Sequence, residues 1–218
     1  MRHANPLCLG LLAGVLLAGC ASQTTQPSQY SGFLADYSQL RPTTSASGAP
    51  VLRWVSPDFK DADYRSVYVE QPVFHPAPKP SDQVSQDTLD RVADYLRQAI
   101  AREVSQRMPV VDTPDRDSLV LRSAITGVDV SAEGLHAYEV IPIALVLAAA
   151  NTAAGTRDRD TVIYVEMEAV AARDGQPMVR VVRKGHGLQL ENSDTRLTLD
   201  DLKPALDIWA RDARSFKP

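Results

Sequence analysis

The order of periodic segments predicts an α+β fold, a largely antiparallel sheet packed against two or three helices in one sandwich-like domain. Three observations carry this. Residues 161–171 and 178–190 alternate apolar with polar side chains on either side of Asp174-Gly175, the pattern of an antiparallel hairpin about a tight turn. Residues 86–107 place Leu89, Val92, Ala93, Leu96, Ala99, Ile100 and Val104 at three- and four-residue steps, so one side of a helix faces a core. The chain closes on a second helical pattern, Leu199, Leu202, Leu206, Trp209, Ala213 and Phe216.

Ahead of the domain, an uncharged apolar run from Leu7 to Gly19 is too short to span a hydrocarbon core of about 30 Å. Arg2 supplies a positive flank, and Leu17-Ala18-Gly19-Cys20 ends the run with small residues before a cysteine. These residues resemble a bacterial lipoprotein signal. The resemblance implies cleavage between Gly19 and Cys20, removal of residues 1–19, and lipidation of Cys20 by a thioether to diacylglycerol with palmitate-type acyl chains. Cys8 leaves with the signal, so neither of the two cysteines remains as a thiol and the fold relies on its core rather than on disulfides. Several acyl chains on one residue hold a protein firmly to a bilayer, where a single chain binds reversibly. Ala21 and Ser22 follow the cysteine without an aspartate, which by the same resemblance implies the periplasmic face of the outer membrane.

Residues 20–31 are polar and uncharged and read as a flexible tether reaching at most about 36 to 40 Å. One domain then spans residues 32–218, long enough to bury roughly 70% of its unfolded surface. In its opening stretch, Ser31-Gly32-Phe33-Leu34-Ala35-Asp36-Tyr37-Ser38-Gln39-Leu40, the spacing of Phe33, Leu34, Tyr37 and Leu40 predicts a short helical turn that docks the start of the chain. Residues 41–50 read as a loop, and 51–55 and 66–70 as strands stopped by Pro57 and Pro72. Trp54 is expected as a buried or rim aromatic, with a binding platform as the alternative. His75, among the prolines of residues 72–80, is a weak ligand candidate. Ser85 caps the helix at 86–107.

Residues 109–112 and 119–130 have strand character. Between them, Asp112, Asp115 and Asp117 lack the glycine and distal glutamate of a calcium loop, and Arg116 opposes a cation, so a solvated turn is expected. Residues 141–154 are apolar and alanine-rich, either a helix packed on the sheet or a face for the bilayer or a partner. In the hairpin, Ile163, Val165, Met167 and Ala169 share a buried face with Val179 and Val181. A three-residue loop then sets Glu166 opposite Lys184 and turns Arg183 inward. Gly185-His186-Gly187 lacks the third glycine and following helix of a phosphate loop, and reads as a bulge or close crossing. Thr198 and Asp201 resemble a cap, but Pro204 predicts a short turn followed by the main helix from Lys203, with Trp209 as a core anchor.

Four stretches together resemble a family of bacterial lipoproteins of unknown function, catalogued as domain of unknown function 3313. They are residues 31–40, Arg122-Ser123-Ala124-Ile125-Thr126, the hairpin about Asp174-Gly175, and Asp207-Ile208-Trp209-Ala210. The resemblance runs from about Tyr30 to Phe216 and brings with it no catalytic residues.

The net charge is −4, or about −5 without Arg2, and the arginines are interspersed with acids, which excludes the basic stripe of a nucleic-acid binder. Neither Gly-x-Ser-x-Gly, a Walker loop nor His-Glu-x-x-His occurs, and His75, His136 and His186 are far apart in sequence. The expected function is a lipid-anchored envelope lipoprotein working as a non-enzymatic binding or assembly module, with an envelope protein as partner and without cofactor or metal. The alternatives are a periplasmic hydrolase with an unrecognised site, and a carrier of an apolar ligand beneath residues 141–154.

Overall fold

A computed structural model describes residues 24–80, 83–132, 159–191 and 195–218. The expected lipidation site Cys20, the expected cleavage point after Gly19, His136 and the apolar run 141–154 lie outside the described residues. Seven strands form one sheet, in the order β1 (Arg41–Thr44), β2 (Pro50–Val55), β7 (Pro177–His186), β6 (Arg159–Ala171), β5 (Ser118–Ala132) and β3 (Ser66–Val69), with β4 (Val73–Phe74) also beside β5. Neighbours run antiparallel except β3 and β4, which lie parallel to β5. A parallel pair requires a crossover, and α1 (Gln86–Val104) supplies it. With α2 (Leu199–Arg214) packed beside α1, the arrangement is the α+β domain that the segment order predicts.

All seven apolar positions that predict α1 are buried, and Ser85 Oγ accepts the Thr88 N–H at 3.1 Å as its cap. The closing helix departs from expectation, because α2 runs unbroken through Pro204. The proline removes one donor in the second turn, while Thr198 N–H and Oγ1 both donate to the Asp201 carboxylate at 2.8 and 2.7 Å and secure the first. Burial of Leu202, Leu206 and Trp209 holds the rest, since helix stability in a domain comes mainly from packing.

Gly185 and Gly187 are a close crossing of β7 and α2. A Cβ on Gly185 would lie 2.8 Å from the Ala205 Cβ and 2.9 Å from the Trp209 ring, and one on Gly187 would strike the Asp201 carbonyl. That carbonyl accepts the Leu188 N–H at 2.7 Å.

The hairpin has the predicted parity but a register shifted by two residues. Glu166 lies opposite Val182, and Lys184 opposite Tyr164, rather than opposite each other. The turn takes Gly175 at φ +73°, and a bulge between Ala169 and Val170 absorbs a residue that a three-residue loop would not. A shift of two leaves every side chain on its face, so the buried pattern survives it.

Three smaller differences concern weak signals. Residues 41–44, expected as loop, form β1 at the sheet edge, where Pro42 costs no ladder bond. Residues 109–112 contribute only a bridge from Val110 to Val67. The aspartates of 112–117 lie in an exposed turn, with Asp115 Oδ1 accepting from Asp117 N–H and Ser118 Oγ.

Candidate functional site

β6 is covered on both faces. Ile163, Val165 and Met167 face the helices and join the main core, while Tyr164 and Glu166 face the other way, under the start of the chain. There Leu34, Leu40, Leu52 and Val182 form a second apolar cluster, rimmed by Tyr30, Phe33, Tyr37 and Trp54. Residues 31–40 make bends and turns rather than the predicted helical turn, and Gly32 sits at φ +87°. The docking itself is as the apolar spacing implies.

A single carboxylate organises this docking. Glu166 is 1% exposed. Its Oε1 accepts the Ser31 N–H at 2.8 Å, and its Oε2 accepts Ser31 Oγ at 2.9 Å, Tyr37 Oη at 2.6 Å and the Leu34 N–H at 3.4 Å. A carboxylate taken out of water is costly unless its lone pairs are met, and here one decapeptide meets them. Tyr37 also accepts the Gly32 N–H at 2.9 Å, and its ring stacks on Tyr30 with centroids 4.4 Å apart. Burial and the Glu166 carboxylate push the Tyr37 phenol up to about 12. Burial and the Asp129 charge push Tyr164 up to about 12 as well.

Of the segment expected as a tether up to Ser31, residues 24–31 are described, and residues 26–28 are exposed. Thr25 is 3% exposed, and residues 27–29 form a single 3-10 turn before Tyr30.

On the helix side, Arg183 turns inward as the register parity requires, and Asp212 of α2 meets it. Their side chains are almost fully buried, with Nη1 2.8 Å from Oδ2. Ser47 donates its N–H and Oγ to the same carboxylate at 2.7 and 2.9 Å, and the guanidinium lies 5.6 Å from the Trp209 ring centroid. Burial alone would raise Asp212, but the bonds from Arg183, Ser47 and Ser45 outweigh it and hold the carboxyl below its ordinary range. Burial lowers Arg183, and the bond to Asp212 offsets only part of that. This group ties the β1–β2 turn, β7 and α2 together.

The weaker candidates are not assembled. His75 packs its ring 6.3 Å from Phe33 and donates its backbone N–H to the Ile125 carbonyl, while His186 is exposed at the end of β7. Trp54 is a rim aromatic with the Arg180 guanidinium 5.1 Å from its centroid. Sequence reasoning missed Glu166 and Asp212 as organising groups. Glu166 alternates with apolar neighbours like any polar-face strand residue, and its partners Ser31 and Tyr37 lie more than a hundred residues away; Asp212 meets Arg183 across 29 residues and Ser47 across 165.

Residues 29–213 match the family model described as "Protein of unknown function (DUF3313)". "Uncharacterized lipoprotein YdcL" of Escherichia coli strain K12 and its counterpart in Escherichia coli O157:H7 are each 47% identical over 217 residues, which is 99% of this chain and 98% of theirs. Among solved structures, the PelC dodecamer from Paraburkholderia phytofirmans matches with a TM-score of 0.38 and 10% identity, over 82% of this chain and 98% of PelC. With the family model spanning the domain and near full-length relatives at this identity, the chain belongs to the DUF3313 family of lipoproteins of unknown function.

Proposed function

We propose that the protein is a lipoprotein held by Cys20 in the periplasmic leaflet of the outer membrane, where its domain works by contact, as a non-enzymatic binding or assembly module for an envelope protein. The observation that carries the reading is the docking of residues 31–40 on Glu166. It makes the exit point of the leash part of the folded domain. From Cys20 to the buried Thr25 an extended chain reaches at most about 18 Å, so the domain is held close over the membrane with one face tied towards it.

The buried charged groups support contact rather than catalysis. Glu166 joins the opening segment to the sheet, and Arg183 with Asp212 joins three elements, so each is engaged in holding the domain together. Lipoprotein relatives and the Leu17-to-Cys20 stretch support the anchor.

The test is chemical crosslinking in intact cells followed by purification of the full-length lipidated protein. The reading predicts one stoichiometric envelope partner, recovered from the outer-membrane fraction and lost with Cys20→Ser. Hydrolytic activity in a substrate screen, without a crosslinked partner, would overturn it.

A further inference from the structure

Among the described residues, the helix side of the sheet is not filled. Between β5, β6 and β7 and the C-terminal ends of α1 and α2 lies a cavity of about 540 Å³. Its floor is Leu121, Met167, Ala169, Val179 and Val181, and Trp209 and Ala213 of α2 form a wall. Leu121, Ala169 and Val181 are only half-buried, because neither helix reaches over this part of the sheet. Native interiors are packed so tightly that voids larger than a water are few, whereas ligand cavities run from about 300 to 1,000 Å³. An apolar cavity favours hydrocarbon over water.

The mouth carries the opposite character. Phe216 lies across it, 6.1 Å from Phe59, beside the turn at residues 44–46. Of the cations in the lining, Arg107 pairs with Asp61 at 2.6 Å and Arg183 with Asp212 at 2.8 Å. Arg53 and Lys217 have no carboxylate partner among the described residues. Arg53 rests 5.4 Å from the Phe216 ring centroid and donates to the Lys217 carbonyl at 3.4 Å, so both cations stand at the rim. Glu168 also lines the cavity but pairs with Arg122 at 3.7 Å, so of the charges in the described lining Arg53 and Lys217 are the ones left to complement an anionic head on a hydrocarbon tail.

We propose that this cavity binds a single-chain anionic amphiphile, its acyl chain on the Met167–Val181 floor and its carboxylate or phosphate head at Arg53 and Lys217. One chain with its head suits the volume, and a two-chain phospholipid exceeds it. The site lies on the face opposite the docked opening segment, and the inference goes beyond the contact function proposed above.

Photoactivatable probes test it on the full-length lipidated protein in phosphatidylcholine vesicles. A palmitate analogue, a lysophosphatidylglycerol analogue and the same chain with a trimethylammonium head are crosslinked in parallel, and labelled peptides are mapped by mass spectrometry. The expected result is labelling of the β6, β7 and Phe216 peptides by at least one anionic probe. That labelling should fall at least tenfold with the cationic probe, with Ala213→Phe, which fills the cavity, and with Arg53→Glu at the exposed rim. The stronger of the two anionic probes identifies the head. Labelling confined to other peptides, equal labelling by the cationic probe, or labelling unchanged in both variants would overturn the assignment. Arg53→Glu leaves the core intact, so the test stands even if Ala213→Phe fails to fold.

Discussion

Tyr37 Oη donates to Glu166 Oε2 at 2.6 Å, joining the opening segment to the second face of β6 across 129 residues of chain. The bond completes a coordination of one carboxylate by Ser31, Leu34 and Tyr37, and it explains why a stretch without regular structure is fixed so firmly to the sheet.

Removing that acceptor leaves donors stranded under the segment. Glu166→Ala should cost about 1 to 3 kcal/mol, read as a lower urea midpoint at unchanged slope, because Ser31 and Tyr37 lose a charged partner. Glu166→Gln, which keeps one acceptor oxygen, should cost less. A midpoint unchanged in both variants would contradict the role given to this carboxylate.

The phenol responds to alkali. Tyr37 has a folded value raised from 10.0 to about 12, so its contribution is fully present below pH 10 and is lost as pH rises towards 12. Tyr164 titrates in the same window. Unfolding followed by circular dichroism should show stability falling between these limits, with a shallower fall in Tyr37→Phe. Identical slopes in the two proteins would count against the buried phenol.

Arg183 and Asp212 form a pair in which one partner cannot be removed cheaply. Asp212→Asn or Arg183→Met alone should cost about 3 to 5 kcal/mol by leaving a buried charge uncompensated, whereas Arg183→Met with Asp212→Leu should be close to neutral. Because the Asp212 carboxyl is depressed from 3.8, its contribution is present above that value and lost as pH falls through the lower folded one. Acid unfolding should therefore flatten in Asp212→Asn. Additive losses in the double variant would show that the two residues act separately.

At the crossing of β7 and α2, Gly185→Ala should destabilise by about 1 to 3 kcal/mol, since its Cβ would meet Ala205 and Trp209 below contact distance. Pairing the change with Ala205→Gly removes the nearest clash, and partial recovery of the melting temperature is expected. Equal stability of wild type and Gly185→Ala would show that α2 sits further from the sheet.

What the sequence made legible was set by local periodicity. The burial of Leu89 through Val104 and the inward turn of Arg183 follow from steps of 3.6 and 2, which need no knowledge of partners. Pro204 misled because a proline's local cost was outweighed by the packing of Leu206 and Trp209. Glu166 read as the cross-strand partner of Lys184, because nothing near it in sequence shows that Ser31 and Tyr37 cover its face. The cavity was equally hidden, since it depends on where two helices stop.

Amide hydrogen exchange on the membrane-anchored full-length protein tests most directly whether the leash is fastened to the sheet. The Ser31 amide, which donates to Glu166, should exchange slowly in the native protein and quickly in Glu166→Ala, with protection in β6 and β7 retained. Fast exchange at Ser31 in the native protein would mean that the opening segment swings free, and the account of a closely held domain would fail.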